Sequence, residues 1–395
     1  MTDLRLDAGD RSLLRRMNSH AVLLSVRERA QTATELAQEL GISRTAIEDV
    51  LKDLLALGWI SGADDAERPS RPGRPAKRYV FAADAGHVVG IDIGVHSVTA
   101  RIADLAGEPL GTARCAVDAG ATVSERFDAA AEAFVGACAE AGVEAGGVWL
   151  AGVGVPGVID ARGVVLAYGG DGMPGWAGTD VRSSLGRRLG VPAVVQSDST
   201  MAVVAEHWRG AATEAQDVVF ILSGNRTSAG LLLGGEPHRG VRGGAGLVGA
   251  LPELGWASAP AFVEGLSAHG IEPTREAMFA AAERGDPVAT EALDGFAGAL
   301  ARGIAAMALA VDPELIVLGG GVSRGGDTIL NPVRSHLDRI LGEGRAPLEL
   351  STLGSDATSI GAVRAALVQV DANLARLGRT APGFPRPARV LGAGE

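Results

Sequence analysis

Asp198 is the residue whose surroundings best suit it for chemistry. It follows the apolar run 191–195, which reads as a buried strand, and opens a helical stretch through Ala202 to Trp208. A carboxylate at a strand end can serve as general base towards a substrate hydroxyl. The same place suits a helix N-cap, and no second catalytic partner stands near it in sequence, so both readings remain open. Three glycine turns carry a second kind of chemistry: Gly94 in GIDIGVHS, Gly224 in ILSGNRTS, and Gly319-Gly320-Gly321 after the apolar run 315–318. Glycine lets a backbone come close to a bound phosphate, although a tight turn between strands requires glycine as well. A third signal is charge. In RPSRPGRPAKRYVF, Arg68, Arg71, Arg74, Lys77 and Arg78 have no acid among them, and Pro69, Pro72 and Pro75 keep the chain extended. Such a segment suits a DNA minor groove, with Arg74 in the A·T-rich potential; a basic Pro-rich run is often only a solvated linker, but together with the helix-turn-helix that precedes it the DNA reading stands well ahead.

These residues need elements to position them. A first helix fits 18–29. A second fits 34–40, with Thr32 as a plausible cap, and Gly41-Ile42 turns the chain into a third helix capped by Ser43 and running to about Leu57. Ile47, Val50, Leu51, Leu54 and Leu55 form its apolar stripe at helical spacing. Two short helices about a glycine turn make a helix-turn-helix, so Ser43, Arg44, Thr45 and Glu48 are expected to face the major groove. Trp59-Ile60 and Tyr79-Val80-Phe81 read as the strands of a wing, with Arg71, Arg74, Lys77 and Arg78 on or beside its tip. Residues 1–85 thus form a winged head.

The body is α/β. Val98, Ala100 and Ile102 alternate as a strand, and Ala106-Gly107-Glu108-Pro109 closes a hairpin. The plan returns later, Gly94 matching Gly224 and Gly107-Glu108-Pro109 matching Gly235-Glu236-Pro237. A repeated glycine-turn hairpin indicates internal duplication and two related lobes about a cleft, expected at 86–197 and 198–377. A last helix, 359–377, returns to the first lobe, and the Pro/Gly-rich tail 378–395 is expected to be disordered.

The bulk numbers limit the function classes. The chain has 395 residues and a formal charge of −11, yet residues 1–82 hold 13 basic and 12 acidic side chains, so the acidity lies in the body. An acidic body repels DNA and leaves binding to local basic clusters. Cys115 and Cys138 are the two cysteines, which excludes a disulfide framework and a thiolate zinc site. Neither a leader-like start nor a membrane-length apolar run is visible, and a cytoplasmic location is expected.

NSHAVLL, ELGISRTAIEDVLKDLLALGWI and GRPAKRY in the head, with GIDIG, GVPG, PGW, RGVRGGAG and DPELIVLGGGV in the body, resemble in order and spacing the repressor branch of the ROK family (repressors, open reading frames, kinases). The resemblance spans about 10–370. It implies an actin-like ATPase fold of two ribonuclease-H-like lobes behind the winged head, assembly as a homodimer or tetramer, and double-stranded operator DNA as partner. The departures bear on the ligand. Gly172 stands where sugar-binding members carry Asn, Ser197-Asp198 replaces an Asn-Asp pair, and Leu247 and Ala250 replace a Glu and a His. The cysteines of the family's zinc segment are missing from LPELGWASAPAF. The loops at Gly94, Gly224 and Gly320 lack the fuller kinase pattern and are expected to be vestigial, with Asp198 as a vestigial base. Each lost partner leaves a sugar hydroxyl unpaired, at about 1–3 kcal/mol. The expectation is a regulator with no kinase activity, no cofactor and no metal, whose effector, if one enters the cleft, is less polar than a hexose. A sugar kinase and a DNA-free scaffold are the alternatives. In the third helix Ala46 and Glu48 stand where the family commonly has Thr and Ser, and Asp49 adds a second acid, so no operator sequence carries over.

Overall fold

The computed structural model describes residues 8–63, 77–169, 172–224, 226–342 and 345–380. α1 (Ala8–Glu28) opens the head and buries Val22, Leu23 and Val26. It starts ten residues before the expected helix, because its first half turns Leu13, Leu14 and Met17 outward and so lacks a buried stripe. Leu, Arg and Met nevertheless favour helix. After β1 (Gln31–Thr32), α2 (Ala33–Leu40) is capped by Thr32, whose hydroxyl accepts from the Glu35 amide while the Glu35 carboxylate accepts from the Thr32 amide. Gly41 ends α2 at φ 65, a left-handed conformation that needs no β-carbon. Ser43 then caps α3 (Arg44–Leu57), whose Ile47, Val50, Leu51 and Leu54 are buried. β2 (Ile60–Ala63) and β3 (Arg78–Phe81) pair antiparallel, Ile60 opposite Phe81, and β1 lies on the far side of β3.

The first lobe runs β4 (His87–Ile93), β5 (Ser97–Asp104), β6 (Pro109–Ala116), α4 (Val123–Ala141), β7 (Val148–Val155), the small hairpin β8 (Val158–Ile159) and β9 (Val165–Ala167), α5 (Val181–Leu189) and β10 (Ala193–Ser197). Its sheet has the order β6-β5-β4-β7-β10, an antiparallel meander joined to two parallel strands. The second lobe runs α6 (Asp198–Arg209), β11 (Val218–Ser223), β12 (Thr227–Leu233), β13 (Glu236–Pro237), α7 (Ala259–Glu264), α8 (Arg275–Glu283), α9 (Pro287–Val311), β14 (Leu315–Gly319), α10 (Asp327–Leu341) and β15 (Leu348–Leu350). Its order, β13-β12-β11-β14-β15, repeats the first sheet strand for strand and direction for direction. Shared topology of this kind is what duplication of one unit leaves behind. α9 has the length and apolarity of a membrane span, but Leu293, Phe296, Leu300 and Ile304 bury it in this lobe's core.

α11 (Ala357–Thr380) crosses back over β4 and β7 and packs against α6. The crossings are close: a β-carbon on Gly152 would stand 1.8 Å from the Ala362 carbonyl oxygen, and one on Gly361 1.7 Å from that of Met201. Only glycine fits there. α11 extends to Thr380, so residues 378–380 are helical and the remaining stretch of the expected tail, 381–395, lies outside the described residues.

The head packs against the body. Val22, Leu23, Val26 and Trp59 share one core with Leu105 and Trp149 of the first lobe and with Val363, Leu367, Val370 and Leu374 of α11. The Trp59 and Trp149 rings meet edge to face at 5.9 Å. Arg27 donates to Asp371 and to the Leu105 carbonyl, and its guanidinium lies 5.2 Å from the centre of the Phe81 ring.

Candidate ligand cleft and DNA-facing surface

Both sheets send the ends of their inner strands to one cavity of roughly 270 Å³. The first lobe contributes Asp92, Gly94 and Val95 from the end of β4 and Ser197 from the end of β10, and Asp198 follows at the start of α6. The second contributes Leu222, Gly224, Arg226, Thr227, Leu247 and Gly320, and Thr358 of α11 closes the set. Five sites singled out in the sequence therefore meet: Gly94, Gly224, Gly320, Ser197 with Asp198, and Leu247. Two do not line it. Ala250 is exposed at the end of a short turn, and Gly172 stands behind Val95. Gly172 has φ +79, and a β-carbon there would lie 3.1 Å from the Ala119 carbonyl oxygen, so a side chain at this position would be strained and tightly packed.

The cap on α6 is Ser197, whose hydroxyl accepts from the Thr200 amide at 3.2 Å. Asp198 is the first helical residue, and the capping reading passes to its neighbour. Its carboxylate accepts from the Ser199 amide at 2.7 Å. Burial pushes Asp198 up to about 6, with that amide opposing the shift. Asp92 was missed, although a lone acid inside the apolar strand HVVGIDI was its signal. Burial, reinforced by the charge of Asp198, pushes Asp92 up to about 7, against the pull of Arg114. Two carboxyl groups that resist ionisation together can hold and pass a proton near neutral pH. Arg226, also missed, supplies the one cation lining the cavity among the described residues. Tyr168, Val95, Val158 and Leu247 give much of the remaining wall an apolar face.

The segment LPELGWASAPAF folds as a short turn and the start of α7. Trp256 is buried, donating its indole N–H to the Leu300 carbonyl at 3.1 Å. Among the described residues no group of His, Cys, Asp or Glu has the makings of a metal site.

On the head, Arg44, Thr45 and Glu48 are exposed along the first turns of α3, and Ser43 caps it through the Ala46 amide. Arg44 is engaged by Glu48 at 2.9 Å, one helical turn on. Lys77 is exposed beside the Tyr79 ring. Arg78, expected to face DNA, instead donates to the Ala30 carbonyl at 2.7 Å and lies 3.4 Å from Glu35, tying β3 to the corner between α1 and α2. Arg71 and Arg74 lie outside the described residues.

A model of the ROK family matches residues 88–252 and 255–369. A xylose repressor from Caldicellulosiruptor bescii is 21% identical over 364 residues, covering 84% of this chain and 90% of its own. A glucokinase from Halalkalibacterium halodurans is 29% identical over 223 residues, 47% of this chain and 67% of its own. Among solved structures, a ROK family glucokinase from Streptomyces griseus, in complex with glucose and AMPPNP, aligns at TM-score 0.57 and 28% identity over 71% of this chain and 99% of its own. A ROK family transcriptional regulator, a homologue of the E. coli MLC protein, shares the fold at TM-score 0.68 and 18% identity over 97% of this chain and 98% of its own. The family match covers well over half of the sequence, and the chain belongs to the ROK family.

Proposed function

We propose, from the premise that this is a ROK-family chain, that it is a DNA-binding transcription regulator of the repressor type. The observation that carries the reading is the head in front of the family body. A capped helix, a glycine turn, a second capped helix and a two-stranded ribbon form a winged helix-turn-helix, and similarity to a xylose repressor runs through head and body alike. Arg44, Thr45 and Glu48 read base edges, Ser43 stands at the phosphate backbone, and Lys77 with the tip residues Arg71 and Arg74 supplies charge. Arg78 holds the wing in place. The chain acts as a homodimer or tetramer so that two heads meet two half-sites.

The cleft is the sensing site. Its effector is less polar than a hexose: Leu247 lines the cavity where the family resemblance implies a Glu, and Gly172 stands where it implies an Asn. α11 links the two functions: Thr358 in its first turn lines the cavity, and Val370, Asp371 and Leu374 further along hold the head. Binding that shifts α6 against α11 therefore acts on the head through one helix. The test is fluorescence anisotropy, then footprinting, on DNA from upstream of its own coding region. Submicromolar binding that weakens steeply with salt is the expected result. Protection indistinguishable from that on unrelated DNA of equal length rejects the reading.

Asp92 and Asp198 favour a second reading. A carboxyl near pKa 6 beside glycine turns suits proton abstraction from a hydroxyl during phosphoryl transfer. ADP release from ATP with a panel of sugars, abolished in Asp198→Asn, would establish a kinase; an unchanged ATP blank excludes it for those sugars.

A further inference from the structure

The two glycine turns of the cleft are held in the same way, by arginines outside every motif noted above. Arg126, in the first turn of α4, is fully buried. One of its terminal nitrogens donates to the carbonyls of Gly94 and Val95 at 2.9 Å each, and the other to those of Asp118 and Ala119 at 3.0 and 2.9 Å. Arg275, the first residue of α8, donates to the carbonyls of Ser223 at 2.9 Å and of Gly224. Gly94 and Gly224 are the related glycines of the duplicated hairpin. Neither arginine forms a salt bridge with a carboxylate among the described residues.

We infer that Arg126 and Arg275 are a matched pair of positioning residues, each fixing one glycine turn of the cleft by gathering its carbonyls. A guanidinium is costly to bury and is most often balanced by a carboxylate. Here carbonyl dipoles balance it, and burial accordingly lowers the pKa of both groups. In a trans peptide the N–H points opposite to the C=O. With the carbonyls of Gly94 and Val95 drawn to Arg126, the amides of Val95 and His96 point away from it; Val95 lines the cavity and His96 an adjoining one. Arg126 also reaches the turn at 172–176 behind Val95, since the Ala119 carbonyl that it holds accepts from the Met173 amide at 2.8 Å. Met173 has φ 53, an uncommon conformation for a residue with a side chain, and this contact helps hold the turn at 172–176 in that shape. Hydrophobic side chains would fill the same space but would leave the carbonyls unpaired.

The inference concerns the geometry of the cleft named above and rests on no DNA contact, so it fails separately from the regulator reading. The test is amide hydrogen exchange, read by mass spectrometry on the full chain, for Arg126→Ala, Arg275→Ala and the corresponding lysine variants. Arg126→Ala should speed exchange about tenfold or more in peptides covering 93–97, 118–121 and 172–176, with 222–228 unaffected. Arg275→Ala should do the reverse. Millimolar guanidinium chloride, but not equal sodium chloride, should slow exchange again in each alanine variant, because the ion fits the emptied site. Lysine, with no planar fork, should restore less than the free ion does. Exchange that rises evenly through the chain, stays unchanged at the turns, or responds equally to both salts overturns the inference. If an alanine variant does not fold, its lysine counterpart carries the test: faster exchange confined to its own turns supports the inference, and wild-type exchange there overturns it.

Discussion

The junction between head and body and the cleft between the lobes lie on the same helix, α11, yet they are built from opposite materials. At the junction Trp59, Trp149, Leu105, Leu367 and Val370 exclude water, and one arginine closes the edge. In the cleft, glycine turns, two carboxyl groups of raised pKa and an exposed arginine surround empty space. The junction is designed to stay together, whereas the cleft retains polar groups whose cost only a ligand or a proton offsets. The sensing role proposed for the cleft would need both, a firm connection to the head and a site whose state changes.

The sharpest way to break this comparison is to empty the junction. Trp59→Ala removes a fully buried indole and its edge-to-face partner, and should cost about 3–5 kcal/mol of stability. Urea unfolding with separate head and body probes checks it, and a head that unfolds before the body is the expected pattern. An unchanged midpoint would mean that the two parts do not hold each other. Arg27→Gln is a smaller blow. It leaves Asp371 and the Leu105 carbonyl short of a donor, worth about 1–2 kcal/mol given their partial exposure. Because Asp371→Asn breaks the same link, the double variant should lose less than the sum of the singles.

The cleft should show itself in pH dependence. Asp92 and Asp198 have raised folded-state values, about 7 and about 6, so between pH 4 and 7 the folded chain binds more protons than the unfolded one. Stability contributed by these groups is present at low pH and is lost as pH rises through that window, opposite in sign to a salt-bridged carboxylate. Asp92→Asn should remove part of that loss, gaining on the order of 1 kcal/mol relative to the wild type at pH 8 and nothing at pH 4. Thermal melts at the two pH values decide it. Equal differences at both would mean that Asp92 is already ionised and paired.

How much of this was legible in sequence follows the same division. Periodic apolar stripes exposed α3 and α11, and glycine turns exposed the duplicated sheets, because both patterns are local. The packing of Trp59 against Trp149 joins residues far apart in the chain and left no local sign. The first half of α1 was missed because its apolar residues face outward. Arg126 and Arg275 were invisible for a different reason: an arginine near a helix start ordinarily faces solvent, and only the fold shows the carbonyls converging on it. Arg78 misled in the other direction, since a basic run gives no hint that its last member turns inward to Ala30 and Glu35.

The smallest effect is expected on the helix proposed to read DNA. Arg44 and Glu48 form an exposed pair one turn apart on α3, with both side chains more than half accessible to solvent. Such a pair adds about 0.3–0.5 kcal/mol to a helix, so Glu48→Ala should barely move the melting temperature. Its influence on recognition is larger than its influence on folding. Glu48 pairs with Arg44 in the free head, and on the proposed reading it also presents a negative charge to phosphates, so its removal should both release the arginine and lower repulsion. Affinity for unrelated DNA should rise a few-fold, while preference for the operator falls because the carboxylate can accept from a cytosine amino group. Anisotropy titrations of both DNAs at one salt concentration measure the ratio. If Glu48→Ala weakens both equally, the residue serves the helix more than the bases, and the reading surface of the head shifts towards Thr45 and the wing.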